Sequence, residues 1–460
     1  MLELFGTDGI RGKANHYPMT PEVALRAGRA LIRALGKGNG KRRILIGKDT
    51  RMSGDMIEYA LAAGICSAGG DAYLCGVLPT PGIAYLTNTT SMDAGVVVSA
   101  SHNPFTDNGI KFFNSRGFKI SREMEADMDQ MIQTAAPGAD LEKDPESSDV
   151  IGRVHLKPAM EDAYADFLSL ALPSGGDFLK DLKVVLDCSN GATYRVAPRI
   201  FKNLGALVQT IGDRPDGKNI NQGCGSQHTD QLRQKVLETR ADIGLAFDGD
   251  GDRLIAVDET GRTVSGDQIL AICARHLKNE GKLTNHRVVS TVMSNVGFHK
   301  AMAELGIDLV IADVGDRYVL EQMKATGAVI GGEDSGHMIF LDTHTSGDGI
   351  LTGLRLIQAM QASATPLSRL ADIMTVYPQV LMNVEVAVKM DIYQVPEIKA
   401  VISEVEDQLG RQGRVLVRYS GTQPLCRVMV EGPDPGQTRR HCETIVAAIQ
   451  AQIGLAGATV

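Results

Sequence analysis

The sequence of 460 residues contains no tryptophan, and only 5% of its residues are aromatic. A binding site built on stacking against an indole ring is therefore excluded. Its seven cysteines include no C-x-x-C pair, so the sequence indicates neither a zinc site of that spacing nor a disulfide framework. We expect the cysteines to be reduced and mostly packed in the interior.

Basic residues are also fewer than acidic ones. The 47 Lys and Arg residues are outnumbered by 55 Asp and Glu, for a formal net charge of -8 at pH 7. Nucleic acids and anionic membrane surfaces would be repelled on average, so we expect neither as a partner. The longest uncharged stretch, residues 72–92, contains Pro79, Pro81 and Asn88 and does not suit a lipid-spanning helix. The sequence begins without the features of a secretory signal, which predicts a cytoplasmic location.

Short runs of Val, Ile and Leu recur along the chain, each followed by a loop with Gly or Ser and a segment of helical periodicity. This order is typical of parallel sheets covered by helices. The predicted strands are residues 43–46, 72–76, 95–99, 183–187, 207–211, 242–247, 287–291, 308–311 and 328–330. Residues 383–388 and 414–418 instead alternate apolar and polar side chains, as in a sheet with one solvated face. The sequence therefore predicts three α/β domains with parallel or mixed sheets, followed by a smaller α+β domain.

Changes in composition indicate where these domains meet. A polar stretch at residues 135–148 contains prolines among acidic residues, a turn falls at 258–266, and residues 362–378 lead into the last unit. The predicted domains are residues 1–150, 151–257, 258–370 and 371–460.

The first loop that carries chemistry is Ser99-Ala100-Ser101-His102-Asn103-Pro104. It follows a predicted strand, at the edge where ligands usually meet a parallel sheet, and we expect Ser101 to be exposed there. His102 could activate this hydroxyl, but adjacent residues of an extended segment point to opposite sides, which disfavours a simple Ser-His pair. The alternative for the loop taken alone is a turn without a catalytic role.

The second loop, Phe247-Asp248-Gly249-Asp250-Gly251-Asp252-Arg253, also follows an apolar strand. Three carboxylates separated by glycines form a cluster of hard oxygen ligands suited to Mg²⁺ or Ca²⁺. An EF-hand loop would need Gly where Arg253 stands, and a strand-like segment follows, so we set that alternative aside. A solvated acidic turn is the other alternative.

Two further loops offer groups for a sugar and for an anion. Gly331-Gly332-Glu333-Asp334-Ser335-Gly336-His337 combines a carboxylate, a hydroxyl and an imidazole, which suits sugar hydroxyl groups. Arg418-Tyr419-Ser420-Gly421-Thr422-Gln423-Pro424, with Arg427 just beyond, suits phosphate oxygens. The alternative for the first of these loops is that His337 is a hydrogen-bonded histidine at a strand entrance. The alternative for the second is an ordinary hairpin turn. His344, in a turn flanked by threonines, is expected at the surface.

Two cations lie near these motifs in the sequence. Arg11 stands between glycines in Gly9-Ile10-Arg11-Gly12, and Lys111 follows Ser101 by ten residues. Either could bind a phosphate, although most Arg and Lys side chains are simply surface charges.

The motifs FGTDGIRG, SASHNPFTDNGIKFF, DGDGDR, GGEDSGH and RYSGTQP occur in this order over nearly the whole chain. Together they resemble the bacterial phosphoglucosamine mutase family of the α-D-phosphohexomutase superfamily. The resemblance implies four domains around a central cleft, each contributing one loop. It also implies a mutase that interconverts glucosamine 6-phosphate and glucosamine 1-phosphate through a phosphoserine and a 1,6-bisphosphate, feeding UDP-N-acetylglucosamine synthesis. Independent turns would not be expected to reproduce this ordered set.

The resemblance assigns a role to each loop. Ser101 would carry the phosphoryl group, and its phosphate would complete the coordination of one Mg²⁺ held by Asp248, Asp250 and Asp252. The implied substrate-binding residues are Arg253, Glu333, Ser335, Arg418, Ser420, Gly421, Thr422 and Arg427. Arg11, Lys111 and His337 are the candidates for the proton transfer, with Arg11 the least suited because of the high pKa of a guanidinium.

Two other functions stay open at this point. One is a mutase directed to mannose or glucose phosphates, and the other is a sugar-phosphate sensor without catalytic activity. Ser101 and the three aspartates argue against a sensor, because binding alone does not need them. FGTDGIRG and residues 219–228 resemble the glucosamine branch, although Gln227 replaces the Thr common there and Gln423 replaces the usual Glu of the superfamily. We expect a monomer or a homodimer.

Overall fold

The computed structural model describes residues 4–36, 40–134, 151–171, 178–419 and 424–454. The chain divides into two compact units. One comprises Met1–Val292 and Asp308–Asp372, and the other comprises Met293–Ile307 and Ile373–Val460. The polar stretch expected between the first two domains, residues 135–148, lies outside the described residues.

The first domain contains a mixed sheet. Its elements are β1 (Phe5–Gly6), β2 (Gly9–Lys13), α1 (Pro21–Ala34), β3 (Arg43–Lys48), α2 (Gly54–Ser67), β4 (Asp71–Val77), α3 (Thr80–Thr89), β5 (Ala94–Val98), β6 (Asp107–Asn114), α4 (Arg122–Thr134) and β7 (Val154–Leu156). The strand order is β1-β2-β6-β5-β3-β4-β7. Strand β5 is buried throughout, as expected of a central strand covered on both faces. Strand β6 returns antiparallel beside it, so the Ser101 loop joins two neighbouring strands at one end of the sheet.

The second domain repeats this plan on a smaller scale. Its elements are α5 (Met160–Leu170), β8 (Lys183–Asp187), α6 (Val196–Asn203), β9 (Leu207–Ile211), α7 (Asp230–Thr239), β10 (Ile243–Phe247), β11 (Leu254–Asp258) and β12 (Thr263–Val264). The order is β12-β11-β10-β8-β9, with β8, β9 and β10 parallel and β11 antiparallel to β10. The aspartate loop is the connection between β10 and β11.

The third domain begins with a helix whose first turn is closed by a capping box between Ser265 and Gln268. Its elements are α8 (Gly266–Asn279), β13 (Arg287–Thr291), α9 (Val296–Glu304), β14 (Asp308–Ala312), α10 (Asp316–Thr326), β15 (Ile330–Gly332), β16 (Met338–Phe340), α11 (Gly349–Ser363) and α12 (Leu367–Leu370). The order is β14-β13-β15-β16. The Glu333 loop joins β15 to its antiparallel neighbour β16.

The last domain is an antiparallel sheet with helices on one face. Its elements are β17 (Gln379–Glu385), α13 (Pro396–Leu409), β18 (Arg414–Tyr419), β19 (Leu425–Glu431) and α14 (Pro435–Ile453). The order is β17-β19-β18. Val384, Val417 and Val428 belong to a core shared with α13 and α14. The alternation read from the sequence therefore marks a sheet with one covered face, and the predicted fold class of three α/β domains and a smaller α+β domain is confirmed.

The first and third domains meet around a buried histidine. His344 is 4% exposed, so the expectation of a surface position is wrong. Its Nε2 lies 3.0 Å from the carbonyl oxygen of Pro81, and the Ser346 amide donates to its Nδ1 at 3.1 Å. Phe167 packs against it with ring centroids 5.7 Å apart. The turn is polar in sequence but is covered by α3 and α5.

The cysteines agree with the expectation that most of them pack in the interior. The cysteines are free, and all except Cys66 are buried. Among the helices of the described ranges, none combines the length and the apolar character needed to cross a membrane.

Candidate active site

The serine loop of the first domain meets the aspartate loop of the second. The hydroxyl of Ser101 donates a hydrogen bond to Oδ2 of Asp248 at 2.5 Å. The Ser101 amide donates to the hydroxyl of Ser99 at 2.9 Å, which fixes the start of the loop. Ser101 is 1% exposed, not exposed as the sequence predicted, because a loop from another domain covers it.

His102 lies closer to the serine than expected. Ser101 has a φ of 52°, in the left-handed region, so this segment is a turn and not an extended strand. The two side chains therefore do not diverge, and Nδ1 of His102 lies 3.5 Å from the Ser101 hydroxyl. Burial lowers the pKa of His102 to about 4, with a further contribution from the charge of Arg253. This imidazole is neutral at pH 7.

The aspartate loop depends on glycine where it approaches the serine loop. A Cβ on Gly249 would lie 2.5 Å from the carbonyl oxygen of Ser101. A side chain at this position would force the two loops apart, because the nearest atom belongs to backbone. Glycine thus permits the contact between the Ser101 hydroxyl and Asp248.

Asp248, Asp250 and Asp252 are buried, with one carboxylate oxygen from each lying within 4.8 Å of the others. Burial raises the pKa of Asp248 well above its usual value, and the charges of Asp252 and Asp250 raise it further. One oxygen of Asp250 and one of Asp252 have no hydrogen-bond partner among the described residues. Unpartnered buried carboxylate oxygens in a set of three fit a hard divalent cation. The cluster could therefore hold a metal ion.

Two cations flank the aspartates. The Lys111 ammonium lies 2.8 Å from Asp250 Oδ2 and 2.9 Å from Asp8 Oδ2. Burial alone would lower the pKa of Lys111, but the neighbouring carboxylates outweigh it and hold the pKa well above its usual value. Arg11 is bound to Asp8. The structure therefore brings Arg11 and Lys111 to the same cluster.

Sequence analysis missed three charged groups that complete this cluster. Lys119 bridges Asp8 of the first domain and Asp316 of the third. Burial would raise the pKa of Asp8, but the surrounding cations hold it well below its usual value. Asp8 lies inside the FGTDGIRG motif, which was a usable signal. Lys119 and Asp316 have no local pattern that separates them from surface charges.

The third domain contributes His337. An isolated antiparallel bridge joins Arg253 to His337, and this brings the aspartate loop beside the Glu333 loop. Nδ1 of His337 lies 3.7 Å from Asp252, and Nε2 lies 3.8 Å from Asp316. Burial would lower the pKa of His337, but its contacts with these carboxylates raise it.

Glu333 and Ser335 lie at the edge of this cluster. Glu333 accepts a hydrogen bond from the Gly315 amide at 3.0 Å and one from the Ser335 hydroxyl at 3.3 Å. Ser335 is exposed and Glu333 is half-buried. Their polar atoms are accessible to a ligand.

The predicted anion loop belongs to the second compact unit. Arg418 on β18 lies directly opposite Arg427 on β19, so both side chains are on the same face of the sheet. Burial lowers the pKa of Arg418, and the charge of Arg427 lowers it further. Nε of Arg427 is buried without a hydrogen-bond partner in the described ranges. Two opposed guanidinium groups favour an anion between them. Ser420, Gly421, Thr422 and Gln423 lie outside the described residues.

Comparisons with known proteins show which families the chain resembles. Four families of the phosphoglucomutase/phosphomannomutase type match the chain: alpha/beta/alpha domain I at residues 2–138, domain II at 162–261, domain III at 265–377 and the C-terminal domain at 381–448. Together these families span nearly the whole chain.

Curated relatives are similar over their full length. The phosphoglucosamine mutase of Syntrophus aciditrophicus is 53% identical over 454 residues, which cover 99% of this chain and 100% of the relative. That of Desulforapulum autotrophicum is 55% identical over 460 residues, covering 98% of this chain and 99% of the relative. Identity at this level over whole chains extends beyond the motifs.

Solved structures share the fold at lower identity. A phosphoglucomutase/phosphomannomutase family protein of Burkholderia thailandensis has a TM-score of 0.79 at 23% identity, covering 99% of this chain and 100% of that one. The N-acetylphosphoglucosamine mutase of Aspergillus fumigatus, solved with GlcNAc-6P and magnesium, has a TM-score of 0.67 at 18% identity, covering 98% and 96%. With the curated relatives, these matches show that the chain belongs to the phosphoglucosamine mutase family of the phosphohexomutase superfamily.

Proposed function

We propose that this chain interconverts glucosamine 6-phosphate and glucosamine 1-phosphate. The observation that carries the proposal is the contact between the Ser101 hydroxyl and Asp248 within a three-carboxylate metal site. It puts a group that can accept a phosphoryl beside a site for a divalent cation. The names of the relatives favour glucosamine over mannose or glucose, and favour a mutase over a sensor.

In the proposed cycle, phosphoserine 101 donates its phosphoryl group to the free hydroxyl of the sugar monophosphate. The bond from phosphorus to the Ser101 oxygen breaks and a bond to the sugar oxygen forms, while the sugar hydroxyl loses a proton and the released serine oxygen gains one. The resulting 1,6-bisphosphate turns around and returns its other phosphoryl group to Ser101. The phosphate has then moved between C1 and C6, and the protein is regenerated.

Asp248, Asp250 and Asp252 would hold Mg²⁺, because three buried carboxylates supply the oxygen ligands that this ion prefers. When bound, Mg²⁺ would neutralise charge on the phosphoryl oxygens and on the serine oxygen that leaves. The Aspergillus fumigatus relative was solved in complex with magnesium, which supports the choice of ion.

The proton of the sugar hydroxyl needs an acceptor near the metal site. Arg11 is the least suited of the candidates, because a guanidinium keeps its proton in proteins. Lys111 and His337 both contact the aspartate loop. With the aspartate oxygens engaged by a cation, the pKa of Lys111 and that of His337 would lose part of the carboxylate contribution that raises them. We propose that one of these two then moves the proton and that Arg11 serves as a fixed positive charge.

The two-step cycle requires a second site for the phosphate that does not react. We propose that Arg418 and Arg427 bind it, together with the predicted contacts from Ser420, Gly421 and Thr422. The opposed guanidinium groups suit a dianion, since charge-assisted hydrogen bonds to phosphate oxygens are strong. In the same scheme Arg253, Glu333 and Ser335 contact the substrate, and the product feeds UDP-N-acetylglucosamine synthesis in the cytoplasm.

The test is the conversion of glucosamine 6-phosphate to the 1-phosphate, with Mg²⁺ and a catalytic amount of hexose bisphosphate. We expect turnover by the wild-type chain and none by Ser101→Ala. Full activity in Ser101→Ala would disprove the phosphoserine scheme. Parallel assays with glucose 1-phosphate and mannose 1-phosphate test the sugar, and faster turnover of either would overturn the glucosamine assignment.

A further inference from the structure

Two side chains from different domains hold the same two carbonyl groups of the serine loop. The carbonyl oxygen of Ser101 accepts a hydrogen bond from Nη2 of Arg51 and another from Nδ2 of Asn221, both at 2.9 Å. The carbonyl oxygen of Asn103 accepts from the same two atoms, at 2.8 Å and 3.0 Å. We call these four hydrogen bonds the carbonyl clamp.

The Arg51 half of the clamp is anchored within the first domain. Its guanidinium is buried and contacts Asp49 at 2.8 Å, and it also donates to the carbonyl oxygen of Asp107 at 3.0 Å. Asp49 accepts in turn from Ser99 at 2.6 Å. Arg51 therefore fixes the serine loop with respect to its own sheet.

The Asn221 half comes from the second domain, which also carries the aspartate loop. The Asn221 amide nitrogen of the backbone donates to the carbonyl oxygen of Ser189 at 2.9 Å, and its φ of 58° is left-handed. A Cβ on Gly249 would lie 2.5 Å from the Ser101 carbonyl oxygen and 2.9 Å from Nδ2 of Asn221. The amide thus lies where the serine loop and the aspartate loop touch.

We propose that Asn221 is a positioning residue that holds the Ser101 loop against the aspartate loop for phosphoryl transfer. This inference rests on the proposed function, because it gives Ser101 the phosphoryl group. Asn221 binds backbone carbonyls of the loop and none of the proposed substrate contacts. Its loss should therefore lower kcat and leave KM nearly unchanged. The proposal also gives a role to Asn221 within residues 219–228, the segment that resembles the glucosamine branch.

The chain offers clean variants, because glycine and aspartate both accept a left-handed φ. Asn221→Gly removes the amide without strain, and we expect kcat to fall about tenfold, the effect of about 1.4 kcal/mol. Asn221→Asp has nearly the same shape but points a carboxylate oxygen at two carbonyl oxygens. We expect it to lose more, about a hundredfold. Gln222→Glu adds the same charge at an exposed neighbouring position and should keep wild-type kcat.

If Asn221 served only to allow the left-handed backbone conformation, the losses of kcat would not occur. Glycine and aspartate would then both keep kcat within about twofold, and that outcome would overturn the proposal. An equal rise in KM in both variants would also overturn it, since the residue would then act in substrate binding.

Hydrogen exchange of the peptide covering residues 99–108 tests the clamp without turnover. We expect faster exchange in Asn221→Gly than in the wild type and in Gln222→Glu, while unchanged exchange contradicts the proposal. A wild-type chain without mutase activity would refute the proposed function, and the exchange experiment would still decide whether Asn221 holds the loop.

Discussion

Lowering the pH should destabilise this chain through the buried imidazole of His344. Both ring nitrogens are satisfied in the neutral form, because Nε2 donates to the carbonyl of Pro81 and Nδ1 accepts from the amide of Ser346. Protonation of Nδ1 would turn this acceptor into a donor facing another donor. Burial lowers the pKa of His344 to about 4, and the hydrogen bond to Pro81 offsets only part of this effect.

The size of the effect follows from proton linkage. Above pH 6.5, the usual pKa of histidine, the imidazole is neutral in both the folded and the unfolded chain. As the pH falls below this value, the unfolded chain binds a proton that the folded chain does not bind until about pH 4. Stability is therefore complete above pH 6.5 and is lost progressively toward pH 4. At about 1.36 kcal/mol for each pKa unit, the free energy of unfolding falls by about 2 kcal/mol between pH 8 and pH 5.

A matched variant isolates this contribution. His344→Phe keeps the ring but cannot titrate, and all other titratable groups are shared with the wild type. We expect urea unfolding to show that the stability advantage of the wild type shrinks by about 2 kcal/mol from pH 8 to pH 5. The same change at the exposed His228 is the control for the substitution itself. A difference in the free energy of unfolding between the wild type and His344→Phe that does not change with pH would refute this prediction.

Three further predictions concern the site. Gly249→Ala should lower kcat by about a hundredfold, because its Cβ would displace the Ser101 carbonyl; near-normal turnover would contradict the close contact of the two loops. Asp248→Asn should weaken Mg²⁺ or Mn²⁺ binding by at least about tenfold in calorimetry, since it removes a carboxylate ligand; unchanged affinity would exclude it as a ligand. Arg418→Ala should raise KM for the hexosamine phosphate about tenfold or more. It should not lower the thermal stability of the protein, because the substitution removes repulsion from Arg427. A large loss of stability with unchanged KM would indicate a structural role.

The sequence predicted the parts of the site that depend on local order. The strand before the aspartate loop was predicted as residues 242–247 and is β10, residues 243–247. The apolar run forms the strand, and the glycines directly after it form the loop. Both are adjacent in the chain, so the local sequence is enough to predict them. The carboxylates of Asp248 and Asp250 come together because two residues of one loop cannot be far apart. Their clustering needs no knowledge of the other domains.

Contacts between distant segments could not be predicted in this way. Lys119 meets Asp316 across nearly 200 residues, and Asn221 reaches the Ser101 loop across 120. Each of these side chains is ordinary in its own segment, and only the packing of one domain against another makes it part of the site. The burial of His344 has the same origin, since Pro81 and Phe167, which cover it, lie far away in the chain.

The charges around Ser101 explain why a phosphoserine and a cation depend on each other here. The Ser101 hydroxyl lies 2.5 Å from Asp248, so a phosphate on this oxygen brings about two more negative charges against three carboxylates. Lys111, a cation beside the aspartates, is already bound to Asp250 and Asp8. It cannot neutralise the phosphate without releasing these partners in a buried site. A divalent cation at the three aspartates balances the added charge without that loss, so phosphorylation of Ser101 and binding of the cation should strengthen each other by the same factor.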